Sequence, residues 1–158
     1  MAFYQFTVTQ YIAAGIDDVW AFISSPDNLK KITPPAMDFT VTNNTGGDKM
    51  YEGMIITYRV KPLAGIPVRW MTEITHVKNK VYFVDEQRVG PYRLWHHQHH
   101  IQPSGNGVLM TDIVTYMPPM GFMGSLANHL FIKKKLKQIF DYRFKAVELH
   151  FAQTAKQL

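Results

Sequence analysis

Four histidines, His96, His97, His99 and His100, fall within five consecutive positions of the stretch YRLWHHQHHIQPSG, residues 92–105. Imidazole titrates near neutrality without help, and its two nitrogens act as metal ligands, proton donors or proton acceptors. Three chemistries are therefore open: a metal centre, an acid/base centre, or a polar belt that orients a bound molecule. In an extended chain successive side chains point to opposite faces, which divides the cluster. Trp95, His97, His99 and Ile101 share one face, and His96, Gln98 and His100 share the other.

Neighbouring strands decide which face does chemistry. If VGPYR forms a three-residue hairpin loop that pairs Val89 with Arg93, Gln87 stands opposite Trp95, Asp85 opposite His97, and Phe83 opposite His99. If PSGN forms a four-residue loop that pairs Gln102 with Gly107, His97 stands opposite Asp112, His99 opposite Met110, and Trp95 opposite Val114. These registers predict a row Asp85, His97, Asp112 across three strands, with Phe83, Gln87, Trp95, His99 and Tyr116 on the same face. The other face carries Glu86, Arg88, His96, Gln98 and His100, so the aromatic face is expected inside.

A histidine enclosed between two carboxylates tends to be protonated while its partners stay ionised. Such a group can orient a ligand's polar end. It can equally satisfy its own buried atoms and do nothing more. If there is catalysis, His97 is the acid/base, Asp85 and Asp112 tune it, and Tyr116 is a donor. A metal needs a third ligand beyond His97 and His99, from Asp85, Asp112, His76 or His129, and nothing in the spacing makes them converge. No metal and no cofactor are expected.

The elements that must hold this belt are readable from periodicity. Residues Phe3 to Ile12 alternate as a strand. After Gly15, Asp17 and Asp18 suit the start of a helix over VWAFI, and Pro26 opens a second short helix, PDNLKKI, ending before Pro34. Six strand-length segments follow, from MDFTVTN to VLMTDIVTYM, separated by NTGGDK, KPLAGIP, NK, GP and PSGNG. Trp70, Thr72 and Ile74 alternate on one of them and are expected to line a cavity. From about Gly124 to Gln153 the period becomes helical, with Leu126, Leu130, Leu136, Phe140, Phe144, Val147 and Phe151 on one face. Lys134, Lys135, Gln138, Asp141 and Lys145 lie opposite, and His129 and Lys133 fall inside the apolar stripe.

The fold class that follows is α+β. A curved seven-stranded antiparallel sheet wraps a long C-terminal helix, with two short helices after the first strand and a void between sheet and helix. The expected lining is Met110, Leu136 and Phe140 in addition to the residues above, with His129 and Lys133 near the helix start. The segment MPPMGFMGSLAN, with Phe122 and Met123, is expected either as a pliable gate at the mouth or as ordinary loop packing over a core edge.

Length and composition are consistent with this. One domain over 1–158 is expected, because 158 residues at 46% hydrophobic suffice for one substantial core. Absence of cysteine excludes disulfides, thiolate metal sites and cysteine nucleophiles. No run of about 18 apolar residues is present, so no stable membrane insertion is expected, and the location is expected to be cytoplasmic. The formal charge of +5 is concentrated in part at IKKKLK, and no phosphate loop or nucleic-acid motif accompanies it. Nucleic acid is not an expected partner.

The stretches IDDVWAFISSPDNLKKITPP, FVDEQRVGPYRLWHHQHHI, TDIVTY and IFDYRF together resemble the SRPBCC superfamily, the START and Bet v 1-like helix-grip proteins. More narrowly, they are similar to small stand-alone bacterial SRPBCC proteins of the polyketide cyclase-like branch, some labelled as cell division inhibitors. The resemblance implies a cavity for a small hydrophobic or amphipathic ligand such as a lipid, fatty acid or aromatic polyketide-like compound, in a carrier or sensor. It also leaves open a cyclase or aromatase, and a protein-interaction module.

Overall fold

Period-two alternation from Tyr4 onward builds the sheet, because each strand must bury one face and leave the other to solvent. The computed structural model describes residues 3–62 and 65–154. Strand β1 (Tyr4–Ile12) is followed by helix α1 (Ile16–Ile23) and then by β2 (Thr40–Asn44), β3 (Met54–Val60), β4 (Val68–Lys78), β5 (Tyr82–Val89), β6 (Leu94–Ser104) and β7 (Gly107–Met117). Helices α2 (Gly121–Ala127) and α3 (Lys133–Thr154) close the chain, joined by one wide π turn at Asn128–Ile132. The seven strands form one antiparallel sheet in the order β1-β7-β6-β5-β4-β3-β2. This is the helix-grip α+β architecture. Leu63 and Ala64, in the expected turn KPLAGIP, lie outside the described residues.

After β1, α1 forms as expected, with Asp17 and Asp18 in its first turn. The second short helix is reduced to a 3-10 turn at Pro26–Asn28, and another lies at Pro35–Met37. Proline favours both openings; beyond Asn28 the chain continues in tight turns, with the Leu29, Lys31 and Thr33 amides donating to the carbonyls three residues back, and Pro34 ends the run.

The β5–β6 register is the expected one, with Asp85 opposite His97 and Phe83 opposite His99. The β6–β7 register is not. Ser104 pairs with Gly107, leaving Gly105 and Asn106 as a two-residue loop. That slides β7 by two residues, so His99 faces Asp112, His97 faces Val114 and Trp95 faces Tyr116. The tight loop works because Gly105 adopts a positive φ of 56°. A two-residue slip preserves parity, and Asp112 still points inward.

The helical stripe is corrected at its start. Leu126 and Leu130 are exposed, whereas Gly124, Asn128 and Ile132 are buried. Gly124 lies so tightly on the Pro118–Pro119 backbone that a Cβ there would overlap the Pro119 carbonyl oxygen. A helix seated on its small residues turns its large ones outward. From Leu136 the stripe follows expectation, with Leu136, Phe140, Val147 and Phe151 buried.

Candidate functional site

Between the inner face of the sheet and α3 lies a cavity of about 160 Å³, roughly ten times the 10–15 Å³ that one water requires. Its walls include Met37, Phe39, Ile56, Tyr58, Trp70, Thr72, Ile74, Phe83, Tyr92 and Trp95 from the sheet side, and Leu136, Ile139, Phe140 and Arg143 from α3. Aromatic edges meet faces along this wall, with Trp70 perpendicular to Trp95 at 5.4 Å between centroids. Tyr58 Oη and Thr72 Oγ1 share a hydrogen bond of 2.9 Å. Burial raises the Tyr58 phenol above its ordinary range, with the Asp85 charge adding to the effect, so it stays neutral.

One part of the wall is ionic. Asp85, His97 and His99 line the cavity, and Asp112 lies directly behind the two imidazoles. The rings of His97 and His99, two residues apart on β6, have centroids 3.7 Å apart. His97 Nε2 donates to Asp112 Oδ1 at 3.1 Å, and His97 Nδ1 lies 3.3 Å from Asp85 Oδ2. His99 Nε2 donates to the same Asp85 oxygen at 2.8 Å. His99 Nδ1 accepts from Arg143 Nη2 at 3.2 Å and lies 2.7 Å from Asp112 Oδ1. The Arg143 contact favours an unprotonated Nδ1 and the Asp112 contact a protonated one, while burial and the His97 charge, which lower the His99 pKa, favour the neutral ring.

The electrostatics agree. Burial alone would lower the His97 pKa, but the Asp85 charge and hydrogen bonds to Asp112 and Asp85 outweigh it, and the net direction is upward. His99 moves down, because burial and the neighbouring His97 charge prevail over its two carboxylates. Burial pushes Asp85 up, but His97 and His99 hold it well below the ordinary carboxylate range. Asp112 is likewise held well below, where burial is overcome by Arg143 and then by the two histidines. Two negative charges, Asp85 and Asp112, are matched by two positive ones, His97 and Arg143.

A pH titration by imidazole NMR is therefore expected to give opposite results for two adjacent rings. His97 should remain an imidazolium above pH 6.5, its ordinary value, and His99 should be neutral down to below 6.5. The linkage signs differ accordingly. Stability from His97 is complete below 6.5 and lost as pH rises through its folded pKa. That from His99 is complete above 6.5 and lost as pH falls through its folded pKa. Two rings titrating together near 6.5 would contradict this assignment.

Of the expected site residues, Trp70, Thr72, Phe83, Asp85, Trp95, His97, His99, Leu136 and Phe140 line the cavity. Gln87 does not: it accepts from the Tyr92 amide at 3.2 Å and donates to the Tyr92 carbonyl at 2.6 Å, closing the β5–β6 turn. Met110 belongs to the solid core with Ile101 and Phe151. Tyr116 is buried, but its hydroxyl donates to Asn128 Oδ1 at 2.8 Å, clamping β7 to the π turn. Phe122, Met123, His129 and Lys133 are corrected to the exposed surface, because α2 faces the protein through Gly124 and Asn128. Periodicity could have supplied Tyr58, which shares a face of β3 with Met54, Ile56 and Val60. Met37 and Phe39 come from irregular chain and carry no such signal.

Asp85, His97 and His99 each offer a ligand atom within 4.8 Å of the others, a spacing that fits a metal ion. The charge there is already neutralised by Arg143 and the His97 proton, so a divalent cation would have to displace that proton and sit beside a guanidinium.

A family model described as "Polyketide cyclase / dehydrase and lipid transport" matches residues 12–157. No curated protein sequence matches the chain. Among solved structures, the chain is similar to a START superfamily protein from Mycobacterium smegmatis, at 12% identity and TM-score 0.70, covering 95% of this chain and 98% of that one. It is also similar to a major latex-like protein from Panax ginseng, at 13% identity and TM-score 0.69, covering 94% and 97%. A third similar structure is a protein from Thermus thermophilus, at 15% identity and TM-score 0.70, covering 96% and 99%.

Proposed function

Because the chain belongs to the polyketide cyclase / dehydrase and lipid transport family, we propose that it binds one small, uncharged, largely apolar molecule in the cavity between sheet and α3, as a carrier or sensor. The observation that carries this reading is the pairing of an aromatic wall with unspent donors. Trp70 Nε1 is buried without a hydrogen-bond partner, as is Arg143 Nε, whose ion-pair partner Asp112 Oδ2 stands 3.7 Å away, beyond hydrogen-bond reach, and both residues line the cavity. An orphaned buried donor costs about 1–3 kcal/mol, which an acceptor oxygen on a ligand would recover. Apolar burial then supplies affinity, and the two donors supply orientation. An aromatic ketone or quinone-like molecule meets these demands.

The same geometry weighs against the acid/base alternative built on His97, Asp85, Asp112 and Tyr116. All four ring nitrogens of His97 and His99 already face protein partners, and the Tyr116 hydroxyl is spent on Asn128. A proton reaches a ligand only if one of these contacts first breaks.

Native mass spectrometry of the purified protein, with displacement of a fluorescent apolar probe, tests the reading. Ile139→Trp, which fills the cavity from α3, is expected to weaken probe binding at least ~tenfold, about 1.4 kcal/mol. Binding that survives this change undiminished places the probe elsewhere and removes the support for an internal site.

A further inference from the structure

The exposed apolar residues are not scattered. Among the described residues, ten of the fourteen exposed large hydrophobic side chains lie at one end of the sheet, the other four being Tyr11, Tyr51, Val81 and Leu149. That end is where β1, β4 and β6 start and β3, β5 and β7 finish, since Tyr4 pairs with Tyr116, Leu94 with Met117 and Val60 with Val68. Met120, Phe122, Met123, Leu126, Leu130 and Phe131 form the densest part, with Phe122 83% and Leu130 68% exposed. Ile66, Val89 and Leu94 continue it across the hairpin tips, and Phe3 extends it at the start of β1. Soluble surfaces seldom gather so many large apolar groups without covering them.

The backbone fixes this display. Met120 and Gly121 both take left-handed conformations, with φ of 62° and 51°, turning the chain from β7 into α2. Gly124, Asn128 and Ile132 then face the protein, so the large side chains can only face out.

We propose that this end docks peripherally on an anionic phospholipid bilayer. Charge selects that partner. Arg59 and Arg69 sit directly opposite each other on β3 and β4, Arg93 lies in the β5–β6 turn, and Lys133 and Lys134 open α3; all five are exposed. Two carboxylates on neighbouring segments, Asp38 before β2 and Asp141 on α3, are paired with Lys61 and Lys137. An apolar tip ringed by cations suits insertion to headgroup depth with lipid phosphates around it. A second copy of the chain fits poorly, because a two-fold interface would press the same cations together. No helix among the described residues is long and apolar enough to cross a membrane, so the docking is interfacial. The cavity wall includes Val60, Pro62 and Tyr92 near this end, which would bring the ligand site close to the bilayer. Docking of this kind goes beyond ligand binding in the cavity and stands without it.

Flotation with phosphatidylcholine vesicles, with and without phosphatidylglycerol, is the test. The protein should float with the anionic vesicles, and raised salt should release it. Phe122→Ser with Leu130→Ser, and separately Lys133→Glu with Lys134→Glu, should each weaken binding roughly tenfold or more, with unchanged circular dichroism. Ile139→Trp should float normally, which separates this result from the fate of the internal site. Failure to float on anionic vesicles overturns the proposal, as does flotation unaffected by the Phe122/Leu130 pair. A concentration-dependent dimer abolished by that pair also overturns it, by assigning the patch to self-association.

Discussion

Asp112→Asn is expected to destabilise the fold by about 3–5 kcal/mol, read as a lower urea midpoint at unchanged slope. The substitution keeps volume and shape and removes one charge. His97 and Arg143 are then left facing Asp85 alone, and a positive charge buried without a partner is the costly outcome. His97 should respond by losing its proton nearer neutrality, because one of the groups that raises its pKa has gone. Combining Asp112→Asn with His97→Gln should cost less than the sum of the two single changes, since the pair restores balance. The surface supplies the control. Lys137 and Asp141 form an i, i+4 pair with side chains 74% and 57% exposed, and Asp141→Asn should change stability by no more than about 0.5 kcal/mol. An Asp112 variant as stable as the Asp141 variant would mean that the buried cluster is not ionised as assigned.

The acid limb of the stability curve follows from the same charges. Asp85 and Asp112 both have folded pKa values below the ordinary 3.8. Their contribution is complete above 3.8 and is lost only as pH falls through the lowered folded values.

Strand alternation makes the inward face of the site legible in the sequence, because one residue of slip would put His97 and His99 in solvent. It does not fix which inward residues touch. Parity tolerates a shift of two, and the choice between a two-residue and a four-residue loop at PSGNG rests on whether Gly105 takes a positive φ, a backbone property that no hydrophobic pattern reports. The expected contact between His97 and Asp112 nonetheless exists, as a diagonal rather than a direct pair. Arg143 shows the opposite gap. From its place at the edge of the helical stripe, either a structural ion pair or a cap on sheet carbonyls is expected, and only its approach across the cavity to His99 and Asp112 makes it the second cation of the cluster. The start of the long helix departs from its pattern for a physical reason. Continuing a 3.6-residue period through Leu126 and Leu130 assumes an unbroken helix, whereas the π turn at Asn128–Ile132 rotates what precedes it.

Charge balance also limits what the cavity accepts. A carboxylate ligand brings a negative charge into a wall whose own charges already cancel, and burying an uncompensated ion costs several kcal/mol even after relaxation. On the proposed reading, an uncharged ketone of the same shape would meet the Trp70 and Arg143 donors without that cost. For the near-isosteric pair 2-acetonaphthone and 2-naphthoate, the ketone is expected to bind more tightly by about 3 kcal/mol, roughly a hundredfold, at neutral pH. Isothermal titration reads this directly. Below about pH 4 the acid becomes neutral while Asp85 and Asp112, with their lowered pKa values, remain ionised, so the two affinities should converge. Asp112→Asn leaves the wall net positive for as long as His97 keeps its proton, and over that pH range it should narrow the gap by favouring the carboxylate. A fatty-acid type of ligand makes the reverse forecast: the carboxylate binds better than the ketone in the unaltered protein, and acidification weakens it. Because the two forecasts differ in sign as well as size, one titration series separates a cavity tuned to neutral oxygen acceptors from one built to hold an anion.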